Sequence, residues 1–190
     1  MHIAIINGPN LNLLGKRETD IYGNMPFEKY LESLAALFPD VEFSYFQSNV
    51  EGEIVNEIQR IGFLTDGIVI NPAAYTHTSV AIGDAIAAIK APVVEVHISN
   101  VHAREEFRKL SHVSGKARGS IFGLGLKGYE LAVRYLLTHS DLQKHPQQQR
   151  KSIVLFWLRG FSDDMQTSGG PDFKQFPFLS LSQFFFYLRL

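Results

Sequence analysis

A chain of 190 residues with a formal net charge of −1 and 45% hydrophobic residues is expected to form one domain, with room for an appendage, and to bury roughly 70% of the surface its unfolded form exposes. The near-neutral charge leaves no basic footprint for nucleic acid, and no apolar run reaches the ~20 residues that a membrane helix needs. With no cysteine, disulfides, thiolate metal sites and cysteine nucleophiles are excluded, and a reducing, cytoplasmic setting is compatible.

Residues 2–7, His-Ile-Ala-Ile-Ile-Asn, read as a buried strand without the basic n-region or length of a signal peptide. Residues 8–24 form a long, glycine-bounded connection. Connections beyond about 12–15 residues without their own structure tend to be lids or binding loops. Pro26 suits the first turn of a helix, and Phe27, Tyr30, Leu31, Leu34, Leu37 and Phe38 keep helical spacing up to Pro39. Val41 to Gln47 is the second predicted strand. Ile54, Val55, Ile58 and Ile61 mark the next helix, ended by Gly62.

Asp66 to Asn71 is the third predicted strand, and Pro72 to Ser79 the connection after it. Val80, Ile82, Ala85, Ile86 and Ile89 make a third helix, stopped before Pro92. From Pro92 an apolar, β-branched run changes at His97 into a polar turn and then a charged segment holding Arg104 and Arg108. This is the fourth strand, followed by a short helical piece. Gly119 to Gly123 is the fifth, and Tyr129, Leu131, Ala132, Tyr135 and Leu136 form a closing helix. Such alternation predicts an α/β fold with a parallel sheet covered by helices on both faces. Five strands favour a flavodoxin-like three-layer sandwich of order 2-1-3-4-5.

The character changes from Ser140, so the expected domain is 1–139 and residues 140–190 an atypical, poorly packed tail. His145 to Lys151 resembles a linker, and Phe176 to Leu190 is crowded with phenylalanine. A read-through, frameshift or fusion would have this composition, as would a self-associating segment.

In open parallel sheets, ligands bind beyond the carboxyl ends of the strands. The predicted strand order brings Asn7 and Asn10, Asn71, and His97 with Ser99 to that rim, and the 8–24 connection with Arg17 and Tyr22 springs from it. His77, Arg104 and Arg108 lie on the adjoining connections. Singly, each has a structural explanation, since asparagine forms turns and caps helices. Jointly they offer acid–base groups and donors suited to an anionic, hydroxylated ligand. There is no phosphate-binding Gly-x-Gly-x-x-Gly or P-loop pattern, and no Gly-x-Ser-x-Gly elbow. A metal centre is disfavoured because His77 and His97 lack an evident third ligand, although Asp84 keeps that option open. A non-catalytic flavodoxin-like binding module is the competing class.

The stretches Asn7-Gly-Pro-Asn-Leu-Asn-Leu-Leu-Gly-Lys-Arg17, Ile21-Tyr-Gly23, Gln47-Ser-Asn49, Glu51-Gly-Glu53, Asn71-Pro-Ala-Ala-Tyr-Thr-His-Thr-Ser79 and Glu95-Val-His-Ile-Ser-Asn-Val-His-Ala-Arg-Glu-Glu-Phe-Arg108 resemble the type II 3-dehydroquinate dehydratases. Gly123-Leu-Gly125 and Gly128-Tyr129 continue the likeness, which runs to about His139. The resemblance implies a hydro-lyase of the shikimate route to aromatic amino acids. Such an enzyme converts 3-dehydroquinate to 3-dehydroshikimate by anti elimination through an enolate, without metal, cofactor or Schiff base. It implies Tyr22 as base, Arg17 as the cation that activates it, Asn10 as holder of a water at the enolate oxygen, and His97 as acid. Substrate contacts would come from Asn71, His77, Ile98, Ser99 and Arg108, with Arg104 at the edge. Glu95, two residues before His97 on the same strand face, could orient or charge the imidazole. The family forms trimers assembled into a homododecamer, in which the counterpart of Asp84 reaches a neighbour's site.

Overall fold

The computed structural model describes residues 1–15 and 25–144, without the side chains of 140–144. Arg17, Tyr22 and all of the tail beyond 144 lie outside the described residues. The chain divides into two units, Met1–Asp141 and Leu142–Leu190, and the sheet lies in the first.

Five parallel strands, β1 (His2–Asn7), β2 (Glu42–Gln47), β3 (Gly67–Asn71), β4 (Val93–His97) and β5 (Gly119–Phe122), form one sheet in the order β2-β1-β3-β4-β5. Among the described residues four α-helices accompany them: α1 (Phe27–Leu37), α2 (Glu51–Ile61) and α3 (Val80–Ala87) between the first four strands, and α4 (Lys127–Lys144) after β5. The flavodoxin-like architecture and strand order expected from the sequence are therefore present. Strands β3 and β4 are buried along their whole length, as central parallel strands covered on both faces must be.

Side-chain alternation sorts the strands between two cores. Ile3, Ile5, Val69, Val94 and Val96 pack with Phe27 and Leu34 of α1 and with Tyr129, Ala132, Val133 and Leu136 of α4. Ala4, Ile6, Ile68, Ile70 and Val93 pack on the other face with Ile54, Ile58 and Ile61 of α2 and Ile82, Ala85 and Ile86 of α3. The next residues along the strands inherit these faces. Asn7 and Asn71 thus belong to the α1/α4 side, and Glu95 and His97 to the α2/α3 side. The β1–β3 register sets Asn7 opposite Asn71, so the polar strand ends are flush.

Several boundaries differ from the sequence expectation. Pro26 is the residue before α1 rather than in its first turn, and Val41 lies in the turn ahead of β2, its N–H donating to the Phe38 carbonyl. Asp66 precedes β3, and its carboxylate accepts the His2 N–H at 2.8 Å. Leu37, Val80 and Tyr135, which continue the apolar periodicity, are exposed, and Ile89 lies beyond the end of α3. The helical piece after β4 is two 3-10 turns, Val101–Ala103 and Glu106–Lys109. Helix α4 continues past the composition change at Ser140 to Lys144.

Candidate active site

An open cavity of about 160 Å³ sits beyond the carboxyl ends of β1, β3 and β4. Three connections, those after β1, β3 and β4, build its wall. The first brings Asn10, with Pro9, Leu11 and Leu14 as its apolar side; the second brings Asn71, Ala73 and His77. The third carries His97, Ile98 and Ser99, and Arg104 and Arg108 close the rim. Eight of the residues singled out in the sequence therefore share one wall. Asp84 is exposed on α3 and does not line it.

Close backbone approach holds these connections together. A Cβ on Gly8 would lie 2.6 Å from the Pro72 carbonyl oxygen, so only glycine lets the loops after β1 and β3 touch; the Gly8 N–H donates to the Asn71 carbonyl at 2.8 Å. Asn10 comes next with φ 68°, a left-handed conformation that asparagine tolerates. Its backbone N–H is tied to Asn49 Oδ1 at 2.9 Å, while its side-chain amide has no hydrogen-bond partner among the described residues. After β4, Gly123 (φ 79°) lies where a Cβ would meet Asn100 at 2.9 Å, and its N–H donates to the His97 carbonyl. The turn carrying Ile98 and Ser99 is thereby seated on the end of β5.

Glu95 is wholly buried, and its carboxylate accepts four hydrogen bonds. Oε1 receives His97 Nε2 at 2.9 Å and Thr76 Oγ1 at 2.5 Å; Oε2 receives Ser120 Oγ at 3.0 Å and the Ser114 hydroxyl. A buried anion is tolerable only with such compensation. Burial alone would raise the Glu95 pKa, but the bonds and charge of His97, with the Ser114 and Thr76 hydroxyls, outweigh it and hold the group below the ordinary carboxylate range. Glu95 thus remains an anion and fixes the imidazole through Nε2. His97 Nδ1 has no hydrogen-bond partner among the described residues.

His77 is arranged for a different task. Its Nδ1–H donates to the Leu110 carbonyl at 2.7 Å. Burial lowers its pKa, the Leu110 bond partly offsets this, and the electrostatic influence of His97 and Arg108 lowers it further. A neutral ring with Nδ1 as donor leaves Nε2 as an acceptor for a hydroxyl. The two imidazoles lie 6.3 Å apart, nearly parallel. Arg108 pairs with the exposed Glu105 at 2.7 Å, and Arg104 approaches the same carboxylate at 3.6 Å; both guanidiniums remain on the cavity rim.

Some contributors escape a sequence reading. Ala73 has φ 51°, costing a non-glycine residue roughly 1 kcal/mol, and its N–H is held by Asn71 Oδ1 at 3.1 Å. Of the hydroxyls that bond Glu95, Ser114 and Ser120 lie outside every motif, and nothing in the Asn71–Ser79 stretch aims Thr76 at a carboxylate on β4. Tyr129, a helical apolar position by pattern, bonds both Asn71 and Asn7. Asn7 itself is fully buried and stands behind the wall, not on it. Among the described residues, no three His, Asp or Glu side chains gather as a metal site, and no helix is long and apolar enough to cross a membrane.

The family model described as Dehydroquinase class II matches residues 1–137. The chain is 52% identical over 156 residues to the 3-dehydroquinate dehydratase of Aliarcobacter butzleri, covering 81% of this chain and 95% of that relative. It is 56% identical over 135 residues to the enzyme of the same name from Campylobacter jejuni, covering 70% and 85%. Among solved structures it resembles the type II dehydroquinase of Butyrivibrio crossotus, with a TM-score of 0.67, 50% identity, and coverage of 72% of this chain and 97% of that one.

Proposed function

Because the chain belongs to the class II dehydroquinase family, we propose that it is a hydro-lyase that removes water from 3-dehydroquinate to give 3-dehydroshikimate. The observation that carries this reading is the single cavity wall on which His97, bonded to Glu95, meets the amide, hydroxyl, imidazole and guanidinium groups that a carboxylated, polyhydroxylated ketone requires.

The reaction removes a proton beside the ketone, passes through an enolate and expels a hydroxyl as water. Tyr22 is the base in this scheme. A free phenol with a pKa near 10 is a poor base at neutral pH, and Arg17 favours the phenolate by its charge. Asn10, with its side-chain amide free of protein partners among the described residues, holds a water against the enolate oxygen, an electrostatic role of the oxyanion-hole kind. His97 gives its Nδ1 proton to the leaving hydroxyl while Glu95 keeps Nε2 and stabilises the charged ring. The pair of electrons from the broken C–H bond ends in the new double bond.

Ser99 and the backbone after Ile98 take the carboxylate, while His77, Asn71 and Arg108 take hydroxyls; Arg104 lies at the edge of the site. Residues 1–139 form the catalytic domain, with 140–190 as a separate tail, in a cytoplasmic enzyme of the shikimate route. Assembly as trimers within a dodecamer would carry the exposed Asp84 to a neighbouring site.

The test is the ultraviolet absorbance of the conjugated product, measured over time for the full chain and for a truncation after His139, with size-exclusion chromatography of both. Turnover by the full chain is expected, and Tyr22→Phe should lower kcat by about 10² to 10⁴-fold with substrate binding largely kept. Absence of turnover in both forms would overturn the reading; near-normal turnover by Tyr22→Phe would remove Tyr22 as the base.

A further inference from the structure

We infer that Tyr129 is a positioning residue for the reaction: its buried hydroxyl fixes which end of the Asn71 amide faces which part of the cavity. The inference rests on the reading of Asn71 as a substrate contact.

The hydrogens of this network run in one direction. Tyr129 has a single hydroxyl hydrogen, which it donates to Asn7 Oδ1 at 2.8 Å. Asn7 Nδ2 in turn faces the Tyr45 hydroxyl at 3.5 Å, and the sense of the whole chain is set by the Ala73 N–H, which can only donate. The phenol oxygen can then only accept, and it accepts from Asn71 Nδ2 at 3.0 Å. At the other end of the same amide, Oδ1 accepts the Ala73 N–H at 3.1 Å. Rotating the Asn71 amide by half a turn would set its oxygen against the Tyr129 lone pairs and its NH₂ against the Ala73 N–H. Both bonds would become repulsions. The amide is left with one N–H and one oxygen lone pair for a ligand, each in a known place.

Burial preserves this sense. Asn7 and Tyr129 are 0% exposed and Asn71 is 3% exposed, so water does not compete for the bonds and they act at low dielectric. The Tyr129 ring is wedged at 5.0 Å from Phe27 and 6.0 Å from Tyr30, which fixes the oxygen. Desolvation also pushes the phenol's pKa far above its usual value, so the hydrogen stays on it. A purely packing role would be served by phenylalanine. The hydroxyl is needed because the amide it holds is on the cavity wall, whereas Asn7 is not.

A double-mutant cycle in dehydroquinate turnover tests the link, using Tyr129→Phe, Asn71→Ala and the combination, with urea unfolding of each. Asn71→Ala should lower kcat/KM by at least about tenfold, and Tyr129→Phe by about tenfold, mainly through KM, the size expected for loss of one orienting hydrogen bond. In the Asn71→Ala background, Tyr129→Phe should cost less than about twofold in kcat/KM while still lowering the urea midpoint. Equal costs in both backgrounds, or an effect of Tyr129→Phe on stability alone, would overturn the inference while leaving Asn71 as a substrate contact. Unchanged kcat/KM in Asn71→Ala would overturn that contact and the inference with it. Asn7→Ala supplies a second arm should Tyr129→Phe fail to fold. It leaves the phenol in place but unties its hydrogen, and its kcat/KM loss should likewise vanish in the Asn71→Ala background; persistence of that loss would overturn the inference.

Discussion

Glu95 illustrates how much a single side chain can be asked to do. It is buried, stays charged, and spends all its contacts on three hydroxyls and one imidazole. Replacing it with glutamine keeps the shape but removes the charge that, in the proposed scheme, stabilises His97 in its acid form. We expect Glu95→Gln to reduce kcat by about tenfold or more, a fraction of what a general acid supplies, with KM little changed; steady-state kinetics at several pH values measure this. A KM effect alone would assign Glu95 to ligand binding instead. Residues of the site differ in how legible they are in the sequence. His97, Ser99, Asn71 and Asn10 can be read because each punctuates the end of an apolar run. Thr76, Ser114 and Ser120 cannot, since they are far apart in the chain and common in turns. Nor can Tyr129, whose ring fills an apolar helix position while its hydroxyl does something the periodicity does not encode.

At the scale of elements, the site depends on how tightly the strand-end loops approach one another. Gly8→Ala would drive a Cβ to 2.6 Å from the Pro72 carbonyl oxygen, and backbone, not a flexible side-chain end, would have to move. The expected cost is about 1–3 kcal/mol of stability, read from the urea midpoint. Because Asn10 and Ala73 lie on the two separated loops, a fall in kcat/KM should accompany it. Strands and helices are legible from period and punctuation, with errors at their ends. Val41 and Asp66 extend strand patterns in the sequence, yet their backbone bonds go to a turn and to the start of β1. The apolar Leu37, Val80 and Tyr135 extend helical patterns that the sheet leaves uncovered, because periodicity reports a face and not what covers it. The left-handed Ala73 has no signal, since alanine is not a residue that announces positive φ.

For the molecule as a whole, the two perturbed groups of the site predict how stability responds to acid. His77 has a folded-state pKa below its ordinary value, so the unfolded chain takes up protons first and stability declines as pH falls below about 6.5. Glu95 is also depressed; its contribution is complete above about pH 4.3 and is lost as pH falls through the folded value. Urea midpoints measured from pH 8 to pH 3 should therefore fall in two stages, and His77→Asn should remove the upper one. A flat profile down to about pH 4.3 in the unmodified protein would contradict the assignment of His77.

The sheet also has a consequence as a partition. The Asn71 amide, a ligand contact in the proposed scheme, rests on the α1/α4 layer through Tyr129, whereas His97, the proposed acid, and Glu95 rest on the α2/α3 layer with Val113. Disorder introduced on one side need not be shared by the other. Phe27→Leu should register mainly in KM and Val113→Ala mainly in kcat, and steady-state kinetics of the two variants would separate them. Sequence drift could then retune recognition and proton transfer one at a time, since neither layer has to be rebuilt when the other changes.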